Sequence, residues 1–332
     1  MKMKKNLIYL LTLVVFSVSS TAVAYGQTSR TTEGPSRQAK IEDAKMIKDR
    51  TLLVVLTDNP DFDQKINYVV HKYWTFSRNI VFVASDDLKK TLNEKETKYA
   101  VLLINRVLVT ETNKWGQPVF RNKFIRFSIK LGEKLNKRRA VYYQDVAYSD
   151  EDRQSKKVKL FKRDKAEHPF DLDDKEILFA LDQIQNHLIA RFEGKQRLTI
   201  AWEPLANSGK LATKTLLIAR KDMDKKLTEQ DIRDTYPYPF KIVDQKEIEQ
   251  AYLSRNKDDA FVELAPFGYA NGIMSQYVVN CENGQLLSVG AEDNGLGYKN
   301  YVSKGHLRAY VRHANLGKKG ITKMISKSDA KY

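Results

Sequence analysis

The sequence predicts an α/β (α+β) protein made of two tandem duplicated domains, each a mixed sheet of about five strands in β-α-β-α-β-β-β-α order. Three observations predict it. A series of features recurs in the same order at nearly constant separation. The strand opening each series is a short continuous apolar run, as expected where both faces of a sheet are covered. The length of 332 residues also exceeds what one typical core supports.

The first copy reads Thr51-Leu52-Leu53-Val54-Val55, then Asp58, Tyr73, Ile80-Val81, Leu88 and Tyr99-Ala100-Val101-Leu102-Leu103. The second reads Thr215-Leu216-Leu217-Ile218, then Asp222, Tyr236, Ile242-Val243, Ile248 and Ala260-Phe261-Val262. The offset drifts one way, from 164 at Thr51/Thr215 through 162 at Ile80/Ile242 to 160 at Ala100/Ala260, as a few deletions would give. Asp61 with Gln64, Thr228 with Asp231, and Asp244 with Glu247 mark helix starts, each placing a side-chain acceptor near free backbone N–H groups.

An antiparallel pair follows the third strand of each copy. It joins Phe124 to Ile129 with Ala140 to Val146, and Ile273 to Val279 with Gln285 to Val289. Asn283-Gly284 predicts a two-residue hairpin turn in the second pair, because both of its central positions need positive φ. A longer helix closes each copy. Asp173 to Phe192 carries Ile177, Leu178, Leu181, Ile184, Leu188 and Ile189 as one apolar stripe, with Gly194 as the C-cap. A second runs from Lys304 to Leu316. Leu198 to Trp202 reads as an extra strand between the copies.

The resulting division is a signal peptide over 1–26, a flexible segment over 27–46, a first repeat over 47–196 with a charged loop at 149–165, a second repeat over 197–317 and a basic tail over 318–332. Lys2, Lys4 and Lys5 lead into an apolar run from Leu7 to Val18 and then the small residues Ala22 and Ala24, the pattern of a cleavable secretory signal. That run is shorter than the ~20 residues that span a bilayer. The expected location is periplasmic or secreted, with no transmembrane segment after cleavage. Cys281 is the single cysteine, so neither a lipoprotein anchor at the cleavage point nor an internal disulfide is expected. Cys281 itself reads as a small buried hydrophobe in a strand.

The formal net charge is +16, which favours anionic partners. The candidate binding residues are Arg121, Lys123, Arg126, Lys137, Arg138 and Arg139 in the first hairpin, and Arg308, Arg312, Lys318 and Lys319 near the C-terminus. Arg308 and Arg312 share a helical face. Export disfavours nucleic acid, so an envelope protein or an anionic envelope polymer is the expected partner.

No residues carry a catalytic, cofactor or metal assignment. Pro204 to Lys214 contains Gly-Lys but lacks the first glycine and the hydroxyl residue of a phosphate loop. No strand ends in Gly-x-Ser-x-Gly, and His71, His168, His187, His306 and His313 are scattered. Asp58 and Asp222 are the only acidic residues retained after the first strand of both copies, at the strand end where α/β folds place ligands.

The repeated strand–helix–strand–helix–strand unit resembles, in topology, the small α/β domains of bacterial envelope proteins such as the TolB N-terminal and CsgG-like domains. The resemblance carries no functional residue. The expected role is therefore an exported, non-catalytic envelope binding protein. The alternatives are a periplasmic hydrolase at the strand ends, or a small-ligand binder in the interdomain cleft. The ligand and the oligomeric state stay open at this level.

Overall fold

The computed structural model describes residues 40–57, 59–93, 96–112, 118–135, 140–148, 172–266, 274–290 and 301–318. The signal segment, the charged loop 149–165 and the tail beyond 318 lie outside the described residues.

The first copy runs α1 (Ile41–Asp49), β1 (Thr51–Val55), α2 (Pro60–Tyr73), β2 (Ile80–Val83), α3 (Leu88–Leu92), β3 (Tyr99–Thr112), β4 (Pro118–Leu131), β5 (Tyr142–Tyr148) and α4 (Asp174–Phe192). The second runs α5 (Arg197–Asn207), β6 (Thr215–Ala219), α6 (Glu229–Thr235), β7 (Phe240–Val243), α7 (Gln245–Leu253), β8 (Asp259–Pro266), β9 (Met274–Asn280), β10 (Leu286–Gly290) and α8 (Lys304–Lys318). The two five-stranded sheets have one topology, β2-β1-β3-β4-β5 and β7-β6-β8-β9-β10. In each, the first three strands are parallel and the last two are added antiparallel.

Each copy also opens on a helix that the pattern missed. Ile41 to Met46, expected to be flexible, belongs to α1, whose Ala44 and Ile47 are fully buried. The expected strand Leu198 to Trp202 is the first half of α5. Its Leu-Thr-Ile-Ala-Trp alternation mimics a strand, but the segment packs as a helix against β10 and α8.

Three local expectations are also corrected. α2 is capped by Asn59, which accepts from the Phe62 N–H at 3.3 Å with Pro60 following, and not by Asp61. Strand register pairs Leu53 with Val81 and Leu217 with Lys241, so Val81 and Lys241 are equivalent. The Ile80/Ile242 match was therefore two residues out. The β9–β10 turn has four residues, closed by Gly284 N–H to Asn280 O and Asn280 N–H to Gln285 O, both 2.9 Å. Only Gly284 there needs positive φ, at +68°. The Thr228/Asp231 capping box forms as expected, and Asp244 caps α7 by accepting from the Glu247 N–H; Asp173/Glu176 forms a further capping box that the sequence reading did not name.

The layers are stacked in an order that joins the copies. α1, α2 and α4 cover one face of the first sheet, and α4 with α7 covers the near face of the second. α6 and α8 cover the far face of the second sheet, through Leu216, Ile218, Ala260 and Val278. The remaining face of the first sheet packs a small core of Leu53, Val55, Val83, Leu92 and Val101 under α3. Thus one apolar core contains Leu52 and Phe127 from the first sheet and Leu217 and Phe261 from the second.

α4 lies at the centre of that core. Ile177, Leu181, Ile184 and Leu188 are fully buried, and so are Phe179 and Leu178 on other sides of the helix. Ile189, placed on the buried stripe by its spacing, is exposed near the helix end. A helix apolar or paired all round belongs in an interior. Gly194 (φ +82°) ends it, with Lys195 N–H to Ala190 O at 2.9 Å.

Candidate functional site

Two places gather charged residues: the junction between the copies and the outer face of α8. At the junction, α4 sends polar side chains toward the second copy. Asp182 takes a two-pronged ion pair from Arg255 at 2.6 and 2.8 Å, and a hydrogen bond from the Tyr252 hydroxyl. Gln183 donates to Gly284 O at 2.9 Å and Asn186 to Asn283 O at 3.3 Å. Arg255 occupies the left-handed position after α7 (φ 57°) that glycine holds after α4. An arginine there accepts backbone strain. The ion pair with Asp182 holds it in place.

Two turns toward the start of α4, Lys175 is buried in an ion pair with Glu263 of β8. Burial pushes the Lys175 ammonium down, but Glu263, Asp173 and Glu176 outweigh it and hold it above its ordinary value. Glu176 is pushed up to about 7 by burial and then by Asp173. Burial also raises Glu263, Glu249, Asp174 and Asp222, against the pull of Lys175 on Glu263, Glu249 and Asp222 and of Lys65 on Asp174.

Asp222 feels the charges of Lys221 and Lys175. It sits in the turn after β6, where its backbone carbonyl accepts from Val302 N–H at 2.6 Å. Asp58, its expected mate, lies outside the described residues. Glu176, Glu249 and Glu263 were not singled out by sequence. Their meeting depends on α4 crossing the second sheet, which no local pattern encodes. Among the described residues, no group of three His, Cys, Asp or Glu side chains is placed to hold a metal ion.

The junction is filled by side chains: Phe179, Tyr252, Phe261 and Cys281 are all fully buried there. Cys281 sits just past the end of β9, its thiol pushed up to about 12 by burial and by Asp259. An open depression of about 690 Å3 lies elsewhere, on α2, lined by residues including Asp63, Asn67, Tyr68 and His71.

The basic candidates separate into distinct environments. Arg126 is not available to a partner. It is 6% exposed, bound to Asp145 of β5 at 2.6 and 2.9 Å and stacked over Tyr143 at 3.8 Å. The neighbouring strand neutralises it, and only the β4–β5 register reveals that. Arg121 and Lys123 lie on β4 opposite Thr110 and Leu108. Lys137, Arg138, Arg139 and Lys319 lie outside the described residues, and Lys318 is the last residue of α8.

α8 presents Arg308 and Arg312 to solvent, one turn apart. Its inner side is fixed by polar bonds. The Tyr310 hydroxyl donates to Gln276 at 2.7 Å, Ser208 donates to His313 O at 2.5 Å, and His306 Nδ1 accepts from Ser303 N–H at 3.3 Å. Lys304, at the start of the same outer stripe, pairs with Asp231 at 2.6 Å and holds that carboxyl down to about 2.

The segment Pro204 to Lys214 runs helix, turn, strand, the reverse of the strand–loop–helix order of a phosphate loop. Among the described residues no helix is long and apolar enough to cross a membrane. No family model, curated protein or solved structure matches the chain.

Proposed function

We propose that this chain is an exported, non-catalytic envelope protein that holds an anionic partner through basic surfaces, chiefly the outer face of α8. One observation carries the reading. The equivalent helices α4 and α8 close the same topology, yet α4 is enclosed while α8 turns Arg308 and Arg312 outward, with Lys304 beside them paired to Asp231. A rigid helix with arginines one turn apart offers fixed cations to carboxylates or phosphates. The net charge of +16 supports the same partner class. The signal-like opening residues and the topological resemblance to envelope α/β domains support the location.

A pull-down from envelope fractions tests it. The wild-type protein should retain a partner at low salt and release it at high salt. The double variant R308E/R312E should bind at least about tenfold more weakly, with an unchanged unfolding midpoint. Retention indifferent to both salt and charge reversal would sink the reading.

The hydrolytic alternative keeps one supporting observation: Asp222, in the turn after β6, feels the charge of Lys175, and burial raises its carboxyl and that of Glu263, as in groups that move protons. For that reading, D222N must abolish a detected hydrolysis without altering stability.

A further inference from the structure

We propose that β2 is a self-association edge: two copies of this chain pair their β2 strands antiparallel about a two-fold axis, joining two five-stranded sheets into one. β2 ends the first sheet, hydrogen-bonded to β1 alone among the described residues. Leu52 N–H donates to Asn79 O at 2.8 Å and Leu56 N–H to Val83 O at 2.9 Å. Bonding alternates along a strand, so Ile80 and Phe82 turn their backbone N–H and C=O groups outward.

Apolar side chains flank this open edge on both faces. Val81 is 43% exposed on the face shared with Val83. On the other face Phe82 packs against His71 at 4.9 Å, with Tyr68 47% exposed on the same helix. The second copy treats the same edge differently. Lys241 of β7 stands where Val81 stands in β2, and Arg233 lies over Phe240 at 5.3 Å. Charged side chains, lysine above all, are how sheets keep an edge from pairing. One edge of this molecule is therefore guarded and its equivalent is not.

The flanking charges select the occupant. Arg78 is exposed just before β2, and Asp86 and Asp87 are exposed just after it. Antiparallel pairing with a second copy brings each Arg78 beside the other chain's Asp86 and Asp87, at both ends of the ladder. Parallel pairing would set like charges together. A two-fold arrangement makes the strand complementary to itself. With four residues in the ladder, the dimer is small and forms reversibly with concentration.

Sedimentation equilibrium of the purified protein tests this. The wild type should show a concentration-dependent monomer–dimer equilibrium. V81K should raise the dissociation constant about tenfold or more. It should leave the circular dichroism spectrum and unfolding midpoint unchanged, since Lys241 already occupies that position in the same fold. R78D should weaken the dimer, and R78D combined with D86R and D87R should restore it. A wild type that stays monomeric up to about 100 µM, or V81K dimers as tight as wild type, overturns the proposal. So does a failure of the triple variant to recover association while it keeps its fold.

Discussion

α4 and α8 occupy the same place in the same topology and meet opposite surroundings. α4 packs on its own sheet with one side and on the second sheet with the other, and 13 of its residues are buried. α8 meets only the second sheet, beside α5, α6 and the turn Ser208–Ala212, and leaves Arg308 and Arg312 exposed. The difference teaches what a tandem repeat needs at its inner and outer ends. The inner helix must match two sheets, so Lys175, Asp182 and Gln183 have partners across the junction. The outer helix must stop the stacking, so it carries charge.

The largest expected effect comes from breaking that junction at its closest approach. A Cβ at Gly284 would fall inside the Asp182 carboxylate, and φ there is +68°. Gly284→Ala should therefore cost on the order of 3 kcal/mol in urea unfolding. Gly194→Ala, at φ +82° with nothing near its Cβ, should cost only about 1 kcal/mol. Equal losses would show that the junction adds nothing beyond backbone strain.

Next comes the ion pair. Asp182→Ala leaves Arg255 strained and without its acceptor, and should cost about 3 kcal/mol. Arg255→Gly relieves the backbone while stranding Asp182. The double variant D182A/R255G should cost less than the two single losses summed. Strict additivity would mean that the pair does not couple the copies.

Smaller effects concern pH. Glu176 is raised from 4.5 to about 7, with Glu263, Glu249, Asp174 and Asp222 also raised. A carboxyl raised by folding stabilises below its unfolded value, and that stability is lost as pH rises through the folded one. Stability should thus fall between pH 4.5 and about 7, and Glu176→Gln should remove about 1–2 kcal/mol of that fall, after allowing for solvent screening. His187 has the opposite sign. Burial and Arg191 push it down to about 3 from 6.5, so its contribution is lost as pH falls through that window. His187→Phe should flatten the acid limb in a melting-temperature profile across pH.

Much of this fold was legible. Continuous apolar strands, the capping pairs Thr228/Asp231 and Asp244/Glu247, and Gly194 place most elements correctly, because these signals are local. Arg126 was misread because its partner Asp145 lies across a hairpin whose register the sequence does not display. Lys175, Asp182 and Gln183 look like the solvent side of an amphipathic helix. Their partners Glu263, Arg255 and Gly284 come 73 to 101 residues later, so composition alone cannot distinguish an outer face from a second inner one. Val81 and Lys241 differ in one residue type, and only their shared register makes the difference meaningful.

The burial of α4 between two sheets also sets an order of events during synthesis. As the chain emerges from its N-terminus, β1 to β5 and α4 are complete while β6 to β10 do not yet exist. Phe179 and Leu178 then have nothing on their far side, and Lys175 and Asp182 lack their partners. The half-made protein is therefore a sticky intermediate whose exposed helix is the one the finished molecule hides most completely, and its lifetime depends on how quickly the second sheet follows.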